Sequence, residues 1–272
     1  MDTWLWENRQ QYQMFVGLTQ LLLDRGFSPL STEPYADNTF RTDHTEAMMN
    51  LVRSFSAKEV SWPLRIFSTG PLFRPGRSWT EAVDVEWVGP VGDAEQHDMI
   101  QLISDMAGWL TKAGIAPDDL TMVYGHVGWT AMLATHLGLS VAAIENFVRE
   151  LRQGRLTIVP QVLGEVSSKA ALLFCPQNQR DFFSRLSEFV AVPPIDGESG
   201  YWNTKWDLSL TGKRSYYTGL VFSLCHRGSG QPLINGGQFE MSSRGEALGG
   251  LGFTLYLDAC RAAVKGQSCA AV

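Results

Sequence analysis

The chain predicts an α+β fold with a mixed, mainly antiparallel sheet flanked by helices. Three features of the sequence point there. Amphipathic helical patterns concentrate in the first half, extended apolar runs separated by short polar turns dominate after residue 200, and no alternation of strand and helix at βαβ spacing runs through the chain. A chain of 272 residues is long enough to bury a substantial core, as one large domain or one domain with a small appendage.

From Trp6 to Arg25 the sequence reads as an amphipathic helix, with Phe15, Leu18, Leu22 and Leu23 near helical spacing and Gly26 as its stop. Phe27-Ser28-Pro29-Leu30 is a short extended piece before a polar turn at Glu33 to Asn38. Phe40-Arg41-Thr42-Asp43-His44-Thr45 reads as a strand entering a helix. Thr45 lies near the helix start, and Met48, Met49, Leu51, Val52 and Phe55 lie on or around its buried side. Leu64 to Arg74 and Val83 to Val88 form an antiparallel hairpin across Pro75-Gly76-Arg77-Ser78-Trp79. Within its second strand Asp84 and Glu86 share one face, and pattern alone predicts that this face is a solvent-exposed edge.

A helix beginning at Asp93 follows, and then a strand over Thr121 to Val127. Residues 128–155 are expected to be largely helical, residues 159–187 to form two short helices, and Pro193 to Gly197 to be a loop. Strands are expected at Trp206 to Leu210, Ser215 to Cys225 and Pro232 to Gly237. A last apolar element runs from Gly252 into a helix over Leu257 to Val264.

Formal charge is −6, which gives no general attraction to nucleic acid, and no long Lys/Arg cluster is present. The four cysteines, Cys175, Cys225, Cys260 and Cys269, lack paired CxxC spacing. They read as reduced cytoplasmic thiols. His44, His97, His126, His136 and His226 form no metal-ligand motif, so neither a metal nor a cofactor is expected. Met1 to Glu7 does not read as a secretory signal, and no apolar run reaches the roughly 20 residues of a membrane span. The expectation is a cytoplasmic protein with no membrane contact. Arg77, Arg185 and Arg244 read as exposed ion-pairing residues, and the tryptophans as packing or partner-contact residues.

The candidate chemistry centres on Ser215-Tyr216-Tyr217-Thr218-Gly219 and Gly236-Gly237-Gln238-Phe239-Glu240. Asp43 and Glu86 can accept an ammonium group, and Thr45 offers a hydroxyl. Tyr216 and Tyr217, as neighbours on a strand, are expected to face opposite ways, one ring packing and one hydroxyl hydrogen-bonding. Residue types alone leave a structural reading of the tyrosine pair open, since such pairs commonly pack.

These segments resemble the histidyl-tRNA synthetases and their non-synthetase relatives, over residues 40–258. Phe40 to Thr45 resembles the segment whose acidic and threonine positions bind the histidine amino group. Phe73-Arg74 resembles the opening of the second signature motif of class II synthetases, and Val85-Glu86-Trp87-Val88-Gly89 its closing strand. Tyr216-Tyr217-Thr218-Gly219 matches the histidine-specific motif. The resemblance implies a class II synthetase-like core and a histidine-like pocket of Asp43, Thr45, Glu86, Tyr216 and Tyr217, with Arg74 near the ligand carboxylate.

The departures from that family are as informative. Gly212 stands where the synthetases carry an activating arginine, and Asp258-Ala259 where the third motif ends in Glu-Arg. Ala82 replaces a usual glutamine, and the hairpin that would cradle ATP is short. Lost guanidinium groups remove planar, bidentate phosphate partners, so adenylation is not expected. The chain resembles the compact synthetase-like regulatory subunits of ATP phosphoribosyltransferase. That similarity implies a non-catalytic subunit without an anticodon-binding domain. It would be a single core over residues 1–272, with residues 128–200 as a helical insertion. The implied partner is the short-form catalytic subunit, bound by a homodimer within a hetero-oligomer that responds to histidine. An amino-acid-adenylating ligase acting on a non-tRNA acceptor, with Arg74, Lys213 and Arg214 as a substitute phosphate site, is the alternative.

Overall fold

The computed structural model describes residues 2–33, 35–36, 39–55, 62–73, 79–128, 140–142, 145, 202–207, 210, 215–229, 232–243 and 246–264. The first helix, α1 (Asp2–Asp24), ends where Gly26 takes a φ of 78°, a conformation that costs glycine little. Leu18 and Leu22 are fully buried, as their spacing predicts, but Leu23 is 46% exposed, since it lies 100° around the helix from Leu22. The chain then lays down β1 (Ser28–Pro29), the small hairpin of β2 (Tyr35–Ala36) and β3 (Thr39–Phe40), and helix α2 (Thr45–Ser54). Met48, Met49 and Val52 make the buried side of α2; Phe55, just beyond its end, is exposed rather than buried.

Strands β4 (Leu64–Phe73) and β5 (Trp79–Val88) pair antiparallel in the expected hairpin, with β5 starting four residues earlier than the alternation suggests. Helix α3 (Asp93–Lys112) begins with the Glu95 carboxylate accepting the Gly92 N–H at 2.8 Å. A 3-10 turn (Pro117–Asp119) leads into β6 (Leu120–His126). After residue 201 come β7 (Asn203–Trp206), β8 (Tyr217–His226), β9 (Ile234–Ser243), β10 (Glu246–Tyr256) and helix α4 (Leu257–Val264). The strand expected at Trp206 to Leu210 lies earlier, ending at Trp206, where its pairing with Tyr124 ends. Most of the expected helical insertion, and the loop at Pro193 to Gly197, lie outside the described residues.

Among the described residues the main sheet has eight strands, in the order β1-β4-β5-β10-β9-β8-β6-β7. Only the outer pairings, β1 with β4 and β6 with β7, are parallel. The α+β expectation therefore holds, with the parallel pairings at the edges and antiparallel strands at the centre.

The two faces of this sheet are filled differently. Phe67, Val83, Val85, Trp87, Leu251, Phe253 and Leu255 point to one face and pack with Leu18, Leu22, Leu102, Ile103 and Leu110 of α1 and α3. Burying each such side chain contributes about 1.5–3 kcal/mol. Cys260 joins this core, and burial pushes its thiol up to about 12, leaving it inert. The other face is covered by α2, whose Met48, Met49 and Val52 meet Ile66, Val88, Phe239 and Met241.

Asp84 and Glu86 belong to that second face, and they are not at a solvent-exposed edge: they are 0% and 1% exposed. Strand β5 is interior, between β4 and β10, and α2 lies above it. The alternation correctly separated two faces; it carried no information on what covers either one.

Candidate functional site

The site is built where two rows of paired residues cross the sheet beneath α2. In the first, Ile66, Glu86, Gly252, Gly237 and Val221 are aligned neighbours on β4, β5, β10, β9 and β8. In the second, two residues along, Ser68, Asp84, Thr254, Asn235 and Ser223 are aligned. Thr254 donates to Asp84, Ser223 bonds to Asn235, and Thr32 bonds to Ser68 at 2.8 Å, so the polar row is tied across the strands.

Glycine at 252 is required by the first row. A Cβ there would fall inside the Glu86 carboxylate. At Gly237 a Cβ would come within 2.6 Å of the Leu220 carbonyl and 3.0 Å of the Tyr217 ring. These two positions give the cleft a floor of bare backbone.

Helix α2 delivers the next groups. The Thr45 N–H donates to Asp43 Oδ1 at 2.8 Å, fixing the turn at the helix start. The Thr45 hydroxyl donates to Glu86 Oε1 at 2.6 Å. Tyr216 donates its hydroxyl to Asp43 Oδ2 at 2.6 Å. Its ring lies 5.0 Å from that of Tyr217 and edge-on to Phe239 at 6.3 Å. Asp43, Thr45, Glu86, Tyr216 and Tyr217 thus gather at one place. Arg74 lies outside the described residues, as do Arg77, Arg185, Gly212, Lys213, Arg214 and Arg244.

The tyrosines differ from expectation in direction. Both line the same cleft, instead of facing opposite sides. Tyr216 precedes β8 in a turn, and the β8–β9 pairing is irregular between Tyr217 and Val221, so strand alternation does not govern the pair. With Thr45, Glu86, Asn235 and Thr254 they enclose about 240 Å³ of empty space, part of it open to solvent.

The electrostatics are dominated by acids. Burial pushes the Glu86 carboxyl well above the usual carboxylate range; Asp84 and Asp43 add to the shift, and only the Thr45 hydroxyl opposes it. Burial likewise raises Asp84, against the pull of His44 and Thr254. Both tyrosine phenols are raised, first by burial and then by the neighbouring acids, so they stay neutral donors. Glu86 Oε2 is buried with no hydrogen-bond partner. Such an acceptor costs free energy until an N–H or ammonium group reaches it. An acidic, hydroxyl-bearing cleft with an aromatic wall suits a compact ligand rich in N–H donors.

His44, Asn235 and Thr254 were not identified from sequence as parts of this site. His44 is 2% exposed and its Nδ1 lies 3.1 Å from Asp84 Oδ2, though out of line for a hydrogen bond. The available signal was positional: His44 sits between Asp43 and Thr45, and Thr254 is two residues beyond Gly252 on the same face. Among the described residues no cluster of three His, Cys, Asp or Glu side chains could hold a metal ion. No described helix is long and apolar enough to cross a membrane.

At the end of β10, Asp258 accepts from the Thr80 hydroxyl at 2.9 Å and from the Glu81 N–H at 3.1 Å, and pairs with Arg261. Ala259 beside it is fully buried. The segment that resembles the third motif is occupied in joining α4 to the start of β5.

The histidyl-tRNA synthetase family profile matches residues 195–260. Regulatory subunits of ATP phosphoribosyltransferase recur among the curated relatives; that of Halalkalibacterium halodurans is 24% identical over 284 residues, covering 94% of this chain and 70% of the relative. A histidine–tRNA ligase subunit from Alicyclobacillus acidocaldarius superposes with a TM-score of 0.70 at 17% identity, covering 95% of this chain and 94% of that one. A chain of the ATP phosphoribosyl transferase (HisG:HisZ) complex from Thermotoga maritima superposes with a TM-score of 0.61 at 14% identity, covering 91% and 97%. The chain therefore has the fold of these solved structures, its residues 195–260 are similar to histidyl-tRNA synthetases, and regulatory subunits of ATP phosphoribosyltransferase are among its curated homologues.

Proposed function

We propose that this chain is a non-catalytic regulatory subunit of ATP phosphoribosyltransferase in the cytoplasm. It binds the short-form catalytic subunit as a homodimer within a hetero-oligomer, activates it, and carries histidine feedback to it. The observation that supports this reading is a contrast within one sheet. Glu86 keeps a buried, unpartnered acceptor beside Thr45 and Tyr217, whereas the segment expected to bear a phosphate-binding arginine has buried Ala259 and an internally bonded Asp258. A cleft in a chain that carries Gly212 and Ala259 where the synthetases carry arginines fits sensing better than adenylation.

In this reading Asp43, Thr45 and Glu86 receive the nitrogen groups of histidine, Tyr216 and Tyr217 wall its ring, and Arg74 meets its carboxylate. Histidine binding then biases a partner interface, and by reciprocity the catalytic subunit changes histidine affinity. The test is to mix the purified chain with the short-form catalytic subunit of the same organism and measure product formation with and without histidine. Activation that histidine reverses is the expected result. Absence of both complex formation and activation would sink the proposal, and amino-acid-dependent exchange of pyrophosphate into ATP would replace it with the ligase.

A further inference from the structure

We infer that His44, clamped against Asp84 beneath the cleft, is the positioning residue that holds Asp43 and Thr45 in place. The consequence for ligand affinity rests on the histidine-pocket reading above; the clamp itself rests on the contact of His44 with Asp84 and on the charge of that pair. His44 is the N-cap residue of α2, yet its side chain makes no capping bond. It turns down to the sheet, where Asp84 Oδ2 lies 3.1 Å from Nδ1 and where both side chains are excluded from solvent. Gly70, at a φ of 154°, carries the β4 backbone past the ring.

The chain neighbours of His44 carry the cleft's contacts. Asp43 receives the Tyr216 hydroxyl and the Thr45 N–H, and the Thr45 hydroxyl reaches Glu86. Rotation of this single turn therefore displaces two hydrogen bonds together, Tyr216 to Asp43 and Thr45 to Glu86. Asp84 is fixed from its other side by Thr254, which also lines the cleft. His44 thus joins the helix start to the polar row of the sheet, as an outer partner orients a ligand-bearing group elsewhere.

The clamp depends on the imidazole proton. Burial alone would lower His44, but Asp84 from β5, the Pro71 carbonyl from β4 and Asp43 from its own turn outweigh it and leave His44 raised above 6.5. Glu86 is the further acid on this face, reached through Thr45. As pH rises through this raised value the proton leaves, the attraction to Asp84 is lost, and the Asp43–Thr45 turn loosens.

The test uses the intact chain, first without ligand. Nuclear magnetic resonance should show the His44 imidazole, identified by its loss in His44→Gln, titrating above 6.5. The Thr45 amide should follow with the same midpoint. Asp84→Asn should lower both midpoints together; should that variant fail to fold, the wild-type titration decides. In calorimetry His44→Gln should weaken histidine binding roughly tenfold, because the turn that presents Asp43 and Thr45 loses its ion-pair anchor on Asp84. It should also remove the pH step that the wild type shows. A Thr45 amide indifferent to His44 titration, or wild-type histidine affinity in His44→Gln, would overturn the inference. No histidine binding by the wild type, with Thr45 still tracking His44, would overturn the ligand reading and leave the clamp standing.

Discussion

On the face of the sheet that meets α1 and α3, Phe67, Val83, Val85, Leu251, Phe253 and Leu255 bury carbon against carbon. On the face beneath α2, the alternate residues of the same strands include Ser68, Asp84, Glu86, Gly252 and Thr254. Both faces pack against helices, but only the second leaves a cleft that opens to solvent. The first gains stability from every residue placed there. The second gives some of it up: it buries two carboxylates, leaves an acceptor without a partner and places bare backbone where a side chain would fill space. One sheet therefore separates holding the fold together from keeping a place for something else, and substitutions on the two faces should fail in different ways.

The largest expected effect is on the apolar face. Leu102→Ala opens a cavity between α3 and the sheet and should cost about 2–5 kcal/mol in denaturant unfolding, while histidine affinity measured well below the melting temperature stays unchanged. Equal loss of affinity and stability would show that the faces are coupled through the sheet. Next comes Gly252→Ala on the polar face. Its methyl group must displace the Glu86 carboxylate, at a cost of about 1–3 kcal/mol, and histidine binding should disappear with it. Retained binding would place the ligand away from Glu86 and remove the basis for the pocket assignment.

The sequence makes the apolar face legible almost completely, because a face that packs is written locally. Leu18 and Leu22 recur at helical spacing, Val83 and Val85 at strand spacing, and each pattern needs only its own segment. The polar face is legible in pieces. Asp43, Thr45, Glu86 and Tyr217 stand out by residue type and resemblance, but their meeting depends on strands far apart in the chain falling into one register. Asp84 and Thr254 are 170 residues apart and become neighbours only through the β5–β10 pairing. His44 carries no local mark of burial at all. Its role follows from α2 closing over β5, and this is also why a solvent-exposed edge was the wrong expectation for Asp84 and Glu86.

The smallest effect on stability separates the two faces most sharply, and it concerns Glu86→Gln. The amide oxygen can still accept from the Thr45 hydroxyl, so the fold keeps that bond, and the buried group no longer ionises. The folded-state pKa of Glu86 lies well above its ordinary value of 4.5, so the folded protein holds the proton more tightly than the unfolded chain. The contribution of Glu86 to stability is therefore complete below 4.5 and is lost progressively as pH rises through the raised value. Glu86→Gln should flatten that decline and leave the free protein about 1 kcal/mol more stable than wild type at neutral pH, read from denaturant midpoints across the pH range. Histidine binding should fall by two orders of magnitude or about 3 kcal/mol, because an amide N–H now points where the ligand's N–H must arrive. A variant that loses stability at neutral pH would mean that the Glu86 carboxylate is already satisfied in the free protein. A variant that gains stability and loses the ligand would identify Glu86 as a group kept for binding at the expense of the fold.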